Sequence, residues 1–122
     1  MKRVFLVLFC LLGCLFSCNK MNEDNYPDLI LGKWQIIKEE VYYDGKLDET
    51  NSLDGTWFFS SSGDCIEEND RSKYTITAQW LTLEYERYTV TVKIQKFTRK
   101  ELILVGSEHD REEVWVYFER IE

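Results

Sequence analysis

Tyr88-Thr89-Val90-Thr91-Val92-Lys93-Ile94-Gln95 is the stretch that decides the fold. Tyr88, Val90, Val92 and Ile94 alternate with Thr89, Thr91, Lys93 and Gln95. Successive side chains of a strand point to opposite faces, so this pattern predicts a strand with one dry side and one wet side. The segment before it repeats the period: Leu81, Leu83 and Tyr85 alternate with Thr82, Glu84 and Glu86. Near the C-terminus, Val114, Val116 and Phe118 alternate with Trp115, Tyr117 and Glu119. Shorter strands are expected at Gly32 to Tyr43, Thr56 to Ser61, Asp64 to Glu68, Lys73 to Thr77 and Glu101 to Val105. No apolar pattern at helical spacing persists beyond a single turn, placed at Pro27 to Leu31 with Pro27 in a permissive first position.

The breaks between strands are short. Asp44-Gly45, Asp54-Gly55 and Ser62-Gly63 are turn signals, because glycine accepts a positive φ at little cost. A weaker turn falls at Ala78-Gln79. Parallel crossovers need a dozen or more residues each, so about eight strands joined this closely predict an antiparallel meander. At that strand number the sheet can close into a barrel and remove its exposed edges. With Trp34 pointing inward, the expected interior is Trp34, Ile36, Trp57, Phe59, Tyr74, Ile76, Leu81, Leu83, Tyr85, Val90, Val92, Ile94, Leu102, Leu104, Val114, Val116 and Phe118.

The N-terminus reads differently. Lys2-Arg3 precede an apolar run from Val4 to Phe16, which is shorter than the roughly 20 residues needed to span a bilayer. The run closes on Leu15-Phe16-Ser17-Cys18. These residues resemble the signal peptide and lipobox of bacterial lipoproteins. Leu11-Leu12-Gly13-Cys14 is a second acceptable context, but Cys18 leaves a longer apolar region and a polar start, Asn19 to Asp24. The resemblance implies a signal peptide over residues 1–17, acyl chains on Cys18, a polar tether over 18–28 and a domain over 29–122. It places the protein at the bacterial cell envelope, with the membrane as partner through those chains. Asn19 after the cysteine favours the outer membrane by the enterobacterial sorting rule, and the side of the membrane stays open. Two or more acyl chains suffice for stable anchoring.

This reading changes how the cysteines and charges are counted. The chain has 122 residues, four cysteines and a formal charge of −7. Cys10 and Cys14 would leave with the signal and Cys18 would carry lipid, so Cys65 has no partner within the chain and is expected as a small apolar strand residue. Loss of Lys2 and Arg3 takes the charge from −7 to −9. That balance argues against nucleic acid as a partner and against electrostatic adhesion to anionic lipid.

In the domain itself, Leu31-Gly32-Lys33-Trp34 resembles the G-x-W motif that opens the first strand of lipocalins. Thr56-Trp57-Phe58-Phe59, Ser62-Gly63-Asp64 and the hairpin from Val90 to Leu104 resemble short bacterial lipocalin-like lipoprotein domains. The resemblance implies an eight-stranded lipocalin-like barrel with Trp34 at its closed end. Arg120 is the counterpart of the basic residue that lies across that Trp as a structural clasp; the alternative is a solvated terminal charge. It also implies a small apolar or amphipathic ligand at the barrel mouth, with Trp57, Phe59, Tyr74 and Tyr85 as its lining. A barrel this small is only just wide enough for one ligand, so core packing is the first role expected of those aromatics and ligand lining the second.

Chemistry is sparsely signalled. No glycine-rich phosphate loop occurs. Asp64-x-x-Glu67-Glu68-x-Asp70 lacks the spacing and central glycine of a calcium loop, and Glu108-His109-Asp110 reads as a polar turn. No catalytic residue, metal ligand or cofactor is expected, and the protein is read as a non-enzyme. The second functional reading is a protein-interaction module, such as a periplasmic inhibitor or an accessory subunit of an envelope complex. Outward Trp115 and Tyr117, with Ile37 and Val41, would form its patch.

Overall fold

The computed structural model describes residues 23–107 and 109–122. The proposed signal, lipobox and Cys18 lie outside the described residues. A 3-10 turn at Glu23–Asn25 leads into a one-turn helix, α1 (Tyr26–Leu29), with Pro27 in its first turn. Nine strands follow: β1 (Gly32–Tyr43), β2 (Lys46–Ser52), β3 (Thr56–Phe59), β4 (Asp64–Ile66), β5 (Arg71–Thr77), β6 (Trp80–Glu84), β7 (Thr89–Phe97), β8 (Glu101–Gly106) and β9 (Glu112–Arg120). Every pairing is antiparallel. The sheet runs β2-β1-β3-β4-β5-β6-β7-β8-β9 and closes through β1 against β9. The protein is thus all-β, a closed antiparallel barrel of eight strands with β2 added to it.

The added strand is one the sequence pattern does not show. Lys46 to Ser52 has no apolar alternation, and six of its seven residues are exposed, Leu47 at 54%. Its backbone instead pairs with Lys38 to Tyr43 in the upper half of β1, while β3 pairs with Gly32 to Gln35 in the lower half. The turn at Ala78-Gln79 is also made without glycine. Ala78 takes a φ of 55°, and Thr77 pairs directly with Trp80.

Two bulges set which side chains face inward. In β7 the register shifts between Ile94 and Lys96. The extra residue, Gln95, reverses the alternation, so Ile94 and Phe97 both point into the core, at 3% and 0% exposure. Strict alternation from Tyr88 misses Phe97 for this reason. In β1 the register against β9 shifts between Ile36 and Lys38, making Ile37 the extra residue. Above it Glu39 and Val41 face inward, opposite Val116 and Val114, and Lys38, Glu40 and Tyr42 face outward. Val41 therefore leaves the outward patch expected from alternation.

The core is sealed at the end where α1 lies. Tyr26, Ile30, Trp34, Phe59, Phe97, Leu102 and Phe118 are all buried there. Tyr26 packs on Phe97 with ring centroids 4.9 Å apart, and Trp34 meets Phe97 edge-on at 5.7 Å. The polar spacer expected up to residue 28 is thus helical from Glu23, and Tyr26 is part of the folded domain. An apolar ring inserted into a closed core is held by burial worth about 1.5–3 kcal/mol, which a solvated tether would not gain.

Candidate functional site

The two ends of the barrel differ in how their inner walls are finished. At the α1 end, Trp34 lies under the Arg120 guanidinium, whose carbon is 4.3 Å from the ring centroid. Arg120 is placed there because Trp34 pairs with it across the β1–β9 seam. Its donors are committed to carbonyls: Nε to Arg99 at 2.6 Å, Nη1 to Leu31 at 2.7 Å, and Nη2 to Leu29. Trp34 Nε1 donates to the Ile30 carbonyl at 2.9 Å. The bonds to Leu29, Ile30 and Leu31 take up carbonyls at the end of a short helix, where no intrahelical donor remains. Gly32, between Leu31 and Trp34, has a φ of 116°, and any Cβ there would collide with the Glu122 carbonyl.

At the opposite end the inner wall stays accessible. Val41, Val90, Val92, Val114 and Val116 sit at inward positions, yet all are only partly buried. Their direct cross-strand partners on β6 and β8, Leu83 beside Val90, Leu81 beside Val92 and Leu104 beside Val116, are buried, and Val92 and Val116 pack against that core. Gly106 is paired with Val114, and Val92 packs over it closely enough that a Cβ there would stand 3.1 Å from Val92 Cγ1. The result is a cup open at the end away from α1, mostly of valine. Glu39, one inward position below Val41, accepts a hydrogen bond from Asn51 Nδ2 at 3.0 Å, and at the rim Tyr85 donates its hydroxyl proton to Glu67. Burial raises the Glu67 carboxyl above its usual range; the Tyr85 bond opposes the shift and nearby Asp70 adds to it. Burial and the Glu67 bond together push the Tyr85 hydroxyl strongly upward.

The four aromatics divide between the two roles that the sequence leaves open, core and mouth. Trp57 packs edge-on against Phe118 at 5.0 Å, and Phe59 meets Tyr74 perpendicularly at 5.0 Å. Phe59 is fully buried, and the Tyr74 hydroxyl donates to the Ser60 carbonyl at 2.7 Å. Trp57, Phe59 and Tyr74 therefore form an aromatic chain within the core. Tyr85 alone stands at the open end, stacked on Tyr88 at 4.8 Å. The valines that do line the cup carry only a weak sequence signal, since inward strand residues look alike whether a barrel is filled or open.

The remaining residues singled out by sequence fall elsewhere. Cys65 is fully buried opposite Ser72, and burial pushes its thiol up to about 12. The Ser72 hydroxyl is buried beside it, and its hydrogen bond to the thiol opposes that shift. Asp64 is held by Lys73 Nζ at 2.7 Å and Arg71 at 3.4 Å. His109 and Asp110 lie in the exposed β8–β9 connection. Among the described residues no three His, Cys, Asp or Glu side chains converge on a metal-sized site. Trp115 and Tyr117 face outward, but they are bound up with charge. Tyr117 donates to Glu40 at 2.6 Å beneath Lys38 Nζ, and Trp115 lies 5.7 Å from Tyr42 and donates to Glu113.

A closed antiparallel barrel of eight strands, sealed at one end by an Arg-over-Trp contact, is compatible with a lipocalin-like fold. No known protein family model matches the chain, and no curated protein matches it either.

Proposed function

We propose that the protein is a lipid-anchored lipoprotein of the bacterial cell envelope whose barrel binds a small apolar or amphipathic ligand in the cup opposite α1. One observation carries the binding reading: the inward Val41, Val90 and Val114 at the end away from α1 are only partly buried, while Tyr26, Ile30, Trp34 and Phe97 are buried at the α1 end. Apolar side chains directed into a concave, accessible space are the usual lining of a small-molecule site. The polar groups of the wall and rim, Glu39, Asn51, Glu67 and Tyr85, fit the head of an amphipathic molecule. The anchoring part of the reading rests on Cys18 and its flanking sequence. The outer membrane is the proposed location, on the strength of Asn19.

The test is native mass spectrometry of the full chain extracted from the producing bacterium. The expected result is a co-purifying small molecule, lost when Val114→Trp fills the cup at unchanged melting temperature. A ligand-free protein carrying a stoichiometric protein partner would overturn this reading in favour of an interaction module.

A further inference from the structure

We propose that the α1 end of the barrel is a membrane-facing surface, and that the groove beside α1 seats a zwitterionic phospholipid headgroup, its phosphate on Arg99 and its ammonium on Asp28. This rests on the proposed acylation of Cys18. The groove has a volume of about 530 Å³ and is lined by Asn25, Asp28, Leu29, Leu31, Arg99 and Arg120. Arg120 is already committed to backbone carbonyls. Arg99 and Asp28 are not: both are exposed, and neither has an ion-pair partner among the described residues. A cation and a carboxylate in the same groove, both without an ion pair among the described residues, match the two opposite charges of a phosphoethanolamine group. Leu29 and Leu31 supply apolar surface for the glycerol and first methylenes.

Chain length brings this groove to the bilayer. The helix next to it is pinned through Tyr26, Ile30 and the carbonyls of Leu29 and Leu31. The chain between Cys18 and Glu23 can therefore extend at most about 18 Å. β9 runs nine residues from the open end to the α1 end. At roughly 3.3 Å per residue and the usual tilt of barrel strands, it carries the cup about 20 Å further out. The β7–β8 connection at the α1 end also presents Lys100 beside Arg99, both exposed and neither ion-paired among the described residues. The cup then opens to the aqueous phase, and its ligand enters from there and not from the bilayer.

The experiment uses the full chain as extracted from membranes, reconstituted in vesicles of phosphatidylethanolamine and phosphatidylglycerol. A fluorophore is attached at Lys100→Cys or Arg87→Cys, and a headgroup-level quencher is included in the lipid. Buried Cys65 does not compete for the label. The expected result is several-fold stronger quenching at position 100 than at 87, weakened by Arg99→Glu. Replacing all phosphatidylethanolamine with phosphatidylglycerol should lower quenching at position 100, and Asp28→Asn should remove that lipid dependence. Equal or reversed quenching with Cys18 acylated overturns the orientation while the anchor stands. Insensitivity of the parent chain to the lipid exchange overturns the headgroup assignment. A non-acylated Cys18, read from the mass of its peptide, overturns the proposal together with the anchor.

Discussion

The Arg120 guanidinium lies 4.3 Å from the centre of the Trp34 ring, and the same group ties the first strand, the last strand and the N-terminal helix together. A cation over an indole is worth about 0.5–2 kcal/mol, and each carbonyl left unpaired in a partly buried place costs about 1–3 kcal/mol. Arg120→Ala should therefore destabilise the barrel by about 2–4 kcal/mol, read from the urea midpoint. Arg120→Lys keeps the charge but not the planar fork, and should recover less than half of that loss.

Gly32 and Gly45 separate backbone strain from collision. Both have positive φ, but a Cβ at Gly45 meets nothing within 4 Å while one at Gly32 strikes the Glu122 carbonyl. Gly45→Ala should cost about 1–2 kcal/mol, the ordinary left-handed penalty. Gly32→Ala should cost clearly more in the same denaturation assay, because the C-terminal strand must also move.

Asp64 and Glu67 should give opposite pH dependences. Lys73, through its hydrogen bond and charge, holds the Asp64 carboxyl below its usual range, with help from Ser62 and Arg71 against burial. Its contribution is present above the unfolded value of about 3.9 and is lost as pH falls through the lower folded value. Asp64→Asn should flatten the acid side of the stability curve. Glu67 is shifted upward by burial, so its favourable contribution is full below about 4.3 and is lost as pH rises through the folded value. Glu67→Gln should raise the melting temperature at pH about 7 and leave it unchanged near pH about 3. A destabilised variant at neutral pH would contradict this.

Cys65 should be chemically silent in the folded protein. With its thiol pushed up to about 12 and no exposure, almost no thiolate is present at neutral pH. Alkylation followed by peptide mapping should leave Cys65 unmodified until denaturant is added. Cys65→Ala should cost about 1–2 kcal/mol through the lost sulfur packing.

The alternation from Tyr88 to Gln95, the short polar breaks and the G-x-W stretch were enough to predict an antiparallel barrel with Trp34 in its core. Those signals are local, because side-chain alternation is a property of the strand itself. The apolar N-terminal run and Leu15-Phe16-Ser17-Cys18 are likewise a sequence matter. Tertiary structure decided what alternation cannot encode. Bulges at Ile37 and Gln95 reverse the facing of Val41 and bring Phe97 inward, since one inserted residue moves every later side chain to the other face. β2 exists because its backbone finds β1, not because its side chains are patterned. Tyr26 is a plug and not a tether residue because Phe97 and Trp34 leave it a place to pack. Whether the aromatics fill the core or line a mouth also depends on distances across the barrel. The structure puts Trp57, Phe59 and Tyr74 in the core and leaves partly buried valines at the open end.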